Sequence, residues 1–255
     1  IFTGAIMINK NDKILEVIDI KKSYPGLNTL ENINLELYRR QFVSILGPSG
    51  CGKSTLFNII SGLEKPDQGK VIIDSELYNG KTGRVSYMHQ KDLLLPWNNI
   101  LDNVCLPLYI KGETKKSAHR KAAGYIPEFG LQGFEQNYPS QLSGGMRQRA
   151  ALLRTYLFAQ DIMLLDEPFA SLDAITRRKM QAWLLRLFDK LDASILFITH
   201  DIDEALFLSD RIYLLSQRPA LVNKVFDINI ARPRDINILT SPEFNQVKEE
   251  ILKLL

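Results

Sequence analysis

A phosphate-binding loop between a strand and a helix constrains this chain more than any other feature. The loop is the run Gly47-Pro48-Ser49-Gly50-Cys51-Gly52-Lys53-Ser54. The apolar residues 42–46 before it are predicted to form a buried strand, and residues 53–60 after it are predicted to begin a helix. In such a loop, glycines let backbone N–H groups surround a polyphosphate, and the helix N-terminus adds partial positive charge. The pattern therefore predicts an α/β fold with a P-loop NTPase core.

Two side chains of the loop suit a nucleoside triphosphate. We expect Lys53 to reach the β- and γ-phosphates and the Ser54 hydroxyl to hold Mg²⁺. The alternative is a glycine-rich turn with a chance lysine, and the flanking strand and helix argue against it. The loop residues predicted to bind the nucleotide are Gly47, Pro48, Ser49, Gly50, Cys51, Gly52, Lys53, Ser54 and Thr55.

Composition narrows the class of protein. The 255 residues are 45% hydrophobic and 24% charged, as in a globular protein with one large α/β domain or two small ones. The net charge is only +3, which does not favour a nucleic-acid partner. Of the two cysteines, Cys51 lies in the phosphate loop, where we expect a reduced thiol and hence a cytosolic compartment. We recognise no apolar run of membrane-spanning length and no leader pattern.

Strand and helix patterns alternate along most of the chain. Strands 15–20 and 33–37 alternate apolar and polar residues, which predicts an antiparallel β subdomain. Later strands are apolar on both faces, which predicts a mainly parallel sheet flanked by helices. Glycines and prolines separate helical stretches near 99–110 and 115–129, as in a helical insertion. We predict a single domain over 1–255. Its parts are an α/β core with the β subdomain over about 11–90 and 140–241, a helical subdomain over about 91–139 and a C-terminal helix over 242–255.

Two acidic residues follow a second buried strand. The apolar residues 162–165 lead into Asp166 and Glu167. Ligands bind at the carboxyl ends of strands in open α/β sheets, so Asp166 is predicted to hold Mg²⁺. Glu167 is predicted to orient and deprotonate the water that attacks the γ-phosphate. The alternative is that Asp166 and Glu167 are only a capping pair before Pro168. The presence of the phosphate loop makes this alternative less favoured.

A second anion-binding helix start is predicted at Ser143-Gly144-Gly145. Ser143 is a good N-cap, and the glycines leave backbone N–H groups unobstructed. One chain would then have two phosphate sites for one nucleotide. Two copies arranged head to tail resolve this, because each nucleotide would lie between the loop of one copy and Ser143–Gly145 of the other.

These motifs together resemble the ATP-binding subunit of ABC transporters over nearly the whole chain. They follow the family's order: Tyr24 as an aromatic that stacks on adenine, the phosphate loop, Gln90 of the Q-loop, the signature at 142–146, the acidic strand at 162–167, Ser171-Leu172-Asp173 as the D-loop, and His200 as the switch histidine. The implied nucleotide is ATP with Mg²⁺, and the implied activity is ATP hydrolysis.

The resemblance implies a role for each of these residues. Gln90 would contact Mg²⁺ and the attacking water, and His200 would hydrogen-bond the γ-phosphate. Asp173 would link the two active sites of a homodimer. From the residues alone, Gln90 is equally compatible with an ordinary polar strand end, and Tyr24 with a turn residue whose ring packs on the sheet.

Further stretches are similar to the importers of nitrate, sulfonate and taurine and to relatives proposed to carry thiamine-pyrimidine precursors. They are residues 90–97, Met146 in the signature, 172–177, and Ala231-Arg232-Pro233-Arg234. The resemblance implies an importer ATPase at the cytoplasmic face of the membrane, with a separate membrane permease and, indirectly, an extracytoplasmic solute-binding protein. Leu93–Leu95 and Trp97 are either core or a permease-docking patch. An exporter ATPase and a soluble ABC ATPase remain alternatives.

Overall fold

The structure is a computed structural model that describes residues 13–159 and 161–255. The described residues divide into two compact units, one formed by 13–84 with 193–255 and the other by 85–192. The predicted subdomain bounds remain predictions, and the first twelve residues of the predicted domain lie outside the described residues. Within residues 13–159 and 161–255, no helix has both the length and the apolar character needed to cross a membrane.

The elements follow the predicted alternation of strands and helices. The strands are β1 (Lys13–Tyr24), β2 (Leu27–Tyr38), β3 (Phe42–Leu46), β4 (Gln68–Ile73), β5 (Glu76–Leu77), β6 (Ser86–Met88), β7 (Ile162–Asp166), β8 (Ser194–Thr199), β9 (Arg211–Leu215) and β10 (Val222–Asp227). The α-helices are α1 (Lys53–Ile60), α2 (Ile100–Ile110), α3 (Lys115–Ala123), α4 (Gly144–Phe158), α5 (Ala174–Phe188), α6 (Ile202–Leu208) and α7 (Pro242–Leu252).

The first unit contains an antiparallel sheet in the order β2-β1-β4-β5, as the alternation of apolar and polar residues in the first two strands predicted. It also contains strands in the order β10-β9-β3-β8, in which β3 runs parallel to both β8 and β9. Strands β3 and β8 are buried along their whole length, as their apolar sequences require. Leu46 pairs with Thr199, so both strands end at the same edge of the sheet.

The described part of the second unit contains the parallel pair β6 and β7 and the α-helices α2 to α5. Asn99 caps α2 by accepting a hydrogen bond from the Asp102 amide, and Thr114 caps α3 in the same way from Ser117. The prediction of one helix over 115–129 is wrong in extent, since α3 ends at Ala123. Gly124 follows, and Pro127 has no backbone N–H to continue a helical ladder.

Candidate functional site

The phosphate loop lies between β3 and α1, as predicted. Gly52 precedes the helix with a φ of +122°, and a Cβ atom there would lie 2.9 Å from the side chains of Leu30 and Thr29, so only glycine fits. The Lys53 Nζ is buried and donates to the carbonyl oxygens of Gly47 at 2.8 Å and Pro48 at 2.9 Å. The ammonium group is thus held inside the loop, where phosphate oxygens can replace these acceptors.

Two further features of the loop were not evident from the sequence. The exposed Arg218, from the turn after β9, donates from Nε to the Gly50 carbonyl. Burial raises the pKa of the Cys51 thiol, so this thiol is neutral and a poor nucleophile at neutral pH. Cys51 and Cys105 are both free cysteines.

Tyr24 ends β1 with 39% of its surface exposed, so its ring is not buried in the sheet. Its hydroxyl donates to Glu64 Oε1 at 2.6 Å, and Lys22 Nζ lies 5.4 Å from the ring centroid. Burial and the Glu64 carboxylate raise the pKa of Tyr24, and a hydrogen bond with the Thr55 side chain opposes that rise. Tyr24 therefore stands beside Thr55, the last loop residue predicted to bind the nucleotide.

His200 is exposed directly after β8, and its two neighbours anchor it. The Thr199 hydroxyl donates to Glu204 Oε2 at 2.6 Å and accepts from the Asp201 amide at 3.0 Å. Asp201 caps α6 by accepting from the Glu204 amide at 3.1 Å. Because Leu46 and Thr199 are paired, Gly47 and His200 follow adjacent strand ends in the first unit.

The second unit brings the two acidic residues and Gln90 together. Met88 pairs with Leu165, so Gln90 and the acidic pair follow neighbouring strand ends. Gln90 Nε2 donates to Glu167 Oε2 at 3.4 Å. Glu167 has a φ of +43°, and a strained conformation of this kind in a residue other than glycine is frequent at functional sites.

Asp166 is only 7% exposed and accepts a hydrogen bond from the Tyr87 hydroxyl at 3.2 Å. Burial, with the Asp166 carboxylate, raises the pKa of Tyr87, so the phenol remains a donor across the physiological range. Sequence reasoning missed Tyr87 because its partner lies on a different strand of the parallel pair.

Ser143 and Asp173, which are predicted to act across a dimer interface, cap the starts of α4 and α5. The Ser143 hydroxyl accepts from the Met146 amide at 3.3 Å, and Asp173 accepts from the amides of Ile175 and Thr176. Hydrogen bonds from Thr176 lower the pKa of Asp173. A Cβ atom on Gly145 would lie 3.3 Å from Thr176 Cγ2, so the two helix starts are close neighbours.

Residues 92–99, which we call the 92–99 segment, follow Gln90 and carry two exposed apolar side chains. Leu93 is 53% exposed and Trp97 is 71% exposed, whereas Leu94 is buried. The alternative that Leu93 and Trp97 belong to the core is therefore wrong. Leu93 and Trp97 lie four positions apart on this segment, and exposed apolar patches are typical of protein-interaction surfaces.

Two of the three residues predicted to hold Mg²⁺ carry carboxylate or hydroxyl oxygens, one residue in each unit. The Asp166 carboxylate is buried at a strand end, and the Ser54 hydroxyl is exposed at the start of α1. Among the residues that the structure describes, no group of three or more His, Cys, Asp or Glu side chains forms a metal site. Proteins usually hold Mg²⁺ through one or two carboxylates together with substrate phosphates, and a carboxylate such as that of Asp166 is a ligand of this kind.

Comparison with known proteins identifies the family. The sequence model of the ABC transporter family matches residues 30–170. The chain belongs to the ABC transporter family. It is 48% identical to a formylaminopyrimidine import ATP-binding protein of Halalkalibacterium halodurans over 74% of each chain. It is 39% identical to an aliphatic sulfonates import ATP-binding protein of Bacillus thuringiensis, over 89% of this chain and 88% of that one.

A solved structure extends the likeness to the fold. It is a dimeric ATP-binding cassette in a post-hydrolysis state bound to ADP and Pi, with 29% identity, a TM-score of 0.71, and coverage of 86% of this chain and all of that one. The predicted P-loop fold and family are confirmed, and this ABC protein is an ATPase. The roles of individual site residues remain predictions.

Proposed function

We propose that this ABC ATPase energises an importer that takes up a small solute through a separate membrane permease. The solute would be nitrate-, sulfonate- or taurine-like, or a thiamine-pyrimidine precursor. The observation that carries the proposal is the similarity, over nearly nine tenths of the chain, to an import ATP-binding protein.

The phosphate loop and Tyr24 would hold ATP, with Ser54, Gln90 and Asp166 as the groups that hold Mg²⁺. When bound, Mg²⁺ would offset the negative charge of the phosphates. Glu167 would take the proton of the attacking water, oriented by the hydrogen bond from Gln90. His200, anchored through Thr199 and Asp201, would donate to the γ-phosphate.

Two copies would close on two ATP molecules, because Ser143, Gly144 and Gly145 present a capped helix start suited to a second phosphate. A solved relative of this family is dimeric. Asp173 would link the two sites across the dimer, and hydrolysis would allow the copies to separate.

The permease would dock on the 92–99 segment through Leu93 and Trp97, and the ATPase would then sit at the cytoplasmic face of the membrane. An extracytoplasmic solute-binding protein would select the solute, so this chain would meet that protein only indirectly. The near-neutral charge does not favour nucleic acid as a partner. An exporter ATPase and a soluble ABC ATPase are the alternatives.

The deciding experiment is affinity purification of the tagged Glu167→Gln variant from its own cells, with ATP and mild detergent, followed by mass spectrometry. We expect a multi-span permease, encoded with a solute-binding protein, to co-purify. In the same background, Trp97→Asp should abolish co-purification. The matched control is Ile110→Asp, which places the same charge at another exposed apolar residue, 74% exposed, and should leave co-purification intact.

Three outcomes separate the candidate functions. A permease without a solute-binding protein would favour the exporter. The chain alone, or with soluble proteins only, would contradict transport while leaving the ATPase activity intact. Equal co-purification by the Trp97 and Ile110 variants would contradict docking through the 92–99 segment.

A further inference from the structure

Two arginines of α4 attach the 92–99 segment to the helix that begins at the signature. Arg154 donates from Nη1 to the Leu93 carbonyl at 2.7 Å and from Nη2 to the Asp92 carbonyl at 2.5 Å. Its planar guanidinium thus spans two consecutive carbonyl groups, which a lysine ammonium cannot do in the same geometry.

Arg147 makes the second attachment, one residue from the signature. Its Nε donates to Asp92 Oδ2 at 3.2 Å, and its Nη1 donates to the Leu142 carbonyl at 2.8 Å. Leu142 directly precedes Ser143, so one side chain bridges the start of the signature and the start of the 92–99 segment. The other Asp92 carboxylate oxygen accepts from the Leu94 amide at 3.2 Å, which fixes the turn around Leu93.

The far end of the segment is also held. Asn103 on α2 is fully buried, donates to the carbonyls of Leu95, Asn98 and Asn99 at 3.0 Å each, and accepts from the Leu95 amide at 2.7 Å. Leu93, between the two anchors, has a φ of +46°, a conformation that costs free energy and is kept only where neighbouring contacts hold it. The 92–99 segment is therefore held by hydrogen bonds at both of its ends.

We propose that Arg147 and Arg154 are positioning residues that make the 92–99 segment move with α4 when ATP binds at Ser143–Gly145. The link rests on the proposed ATP contact across the dimer and specifies how nucleotide state reaches the permease-facing surface. Chains of hydrogen bonds on rigid elements can carry such coupling, and a measurement at both ends is needed to establish it.

Trp97 reports the link directly. The chain has two tryptophans, and Trp183→Phe leaves only the exposed Trp97 while keeping an aromatic ring beside Phe129, whose centroid lies 5.8 Å from that of Trp183. Acrylamide quenching of this full-length variant is measured with and without a non-hydrolysable ATP analogue. Dimer formation and nucleotide affinity are measured on the same samples.

We expect the analogue to change Trp97 quenching, and Arg147→Gln to reduce that change at least about threefold while analogue affinity stays within about twofold. The matched control is Arg186→Gln at an exposed arginine of α5, which should keep the full change. A full change in Arg147→Gln, or no change at Trp97 in a parent protein that dimerises with the analogue, would overturn the link.

A double-mutant cycle separates a link from general damage to the fold. Asp92→Asn should reduce the analogue-induced change in Trp97 quenching as much as Arg147→Gln does, and the double variant should show no further reduction. Independent, additive losses would refute the Arg147–Asp92 contact as the link. Arg154 is half-buried, so we replace it by lysine, which keeps the charge but should reduce the quenching change because it cannot bridge both carbonyls. If Arg154→Lys shows the same quenching change as the parent protein, the proposed role of Arg154 is refuted.

The two proposals can fail separately. If Trp97 quenching depends on Arg147 but no permease co-purifies with the chain, the link stands and the importer proposal fails. If a permease co-purifies but quenching is independent of Arg147, the importer proposal stands and the link fails.

Discussion

Replacing Thr199 by valine tests how the strand end beside His200 is held. Thr199 is 1% exposed, its hydroxyl donates to the buried Glu204 carboxyl at 2.6 Å, and it accepts from the Asp201 amide at 3.0 Å. Valine has nearly the same shape but neither donates nor accepts a hydrogen bond. The substitution therefore removes one buried and one partly buried hydrogen bond and leaves the packing almost unchanged.

The magnitude follows from those two contacts. Losing a hydrogen bond to a carboxyl group costs about 1.5–3 kcal/mol, and losing a neutral one costs about 1 kcal/mol, so we expect a loss of about 3 kcal/mol in the free energy of unfolding. For a domain of this size, the melting temperature should fall by about 6–12 °C. A displaced His200 should also lower the kcat of ATP hydrolysis about ten- to a hundredfold.

Thr199→Ser is the matched control because it keeps the hydroxyl and loses only a buried methyl group, at a cost of about 1 kcal/mol. Melting followed by circular dichroism and steady-state ATP hydrolysis are measured for both variants. We expect stability to fall in the order threonine, serine, valine, and kcat to fall only in the valine variant. A valine variant as stable and as active as the serine variant would refute the anchoring of His200 through Thr199.

Three further predictions test other residues. Glu167→Gln should slow phosphate release about 10²–10⁴-fold with ATP affinity unchanged; a normal rate would show that Glu167 is not the base. Lys53→Ala should weaken ATP binding at least about tenfold in a titration of the purified chain, and an unchanged Kd would contradict its phosphate role. Arg234→Met should lower the free energy of unfolding in urea by about 2–4 kcal/mol, because Arg234 Nη1 donates to the Leu206, Phe207 and Ser209 carbonyls at the end of α6. An unchanged urea midpoint would show that these hydrogen bonds of Arg234 do not stabilise the fold.

Most of the fold was predictable because its signals are local. The apolar run at 42–46, the loop glycines and the acidic pair at 166–167 each occupy a few consecutive residues, and the structure has a strand, a turn and a strand end there. The cap at Ser143 was predictable for the same reason, since it bonds to an amide three residues away. The two-residue strand β5 was missed because two residues carry no periodicity.

The sequence predicted which residues make up the candidate site but gave no sign of the side chains that support them. Nothing near Tyr87 in the sequence indicates that its hydroxyl bonds to Asp166, 79 residues away. The sequence also left open whether Leu93 and Trp97 were core or surface, because an apolar run alone does not say what packs against it. The exposed fractions of their side chains in the structure resolved that question.

The sequence alone located the residues proposed for ATP chemistry, since a phosphate loop, a capped helix start and a strand-end carboxylate all depend on neighbours within about four residues. Only the tertiary structure decided that Arg147 and Arg154 hold the 92–99 segment and that Thr199 and Asp201 anchor His200 on a paired strand end. The arginine contacts join residues 55 and 61 positions apart, and such pairs form only after separate elements have packed together.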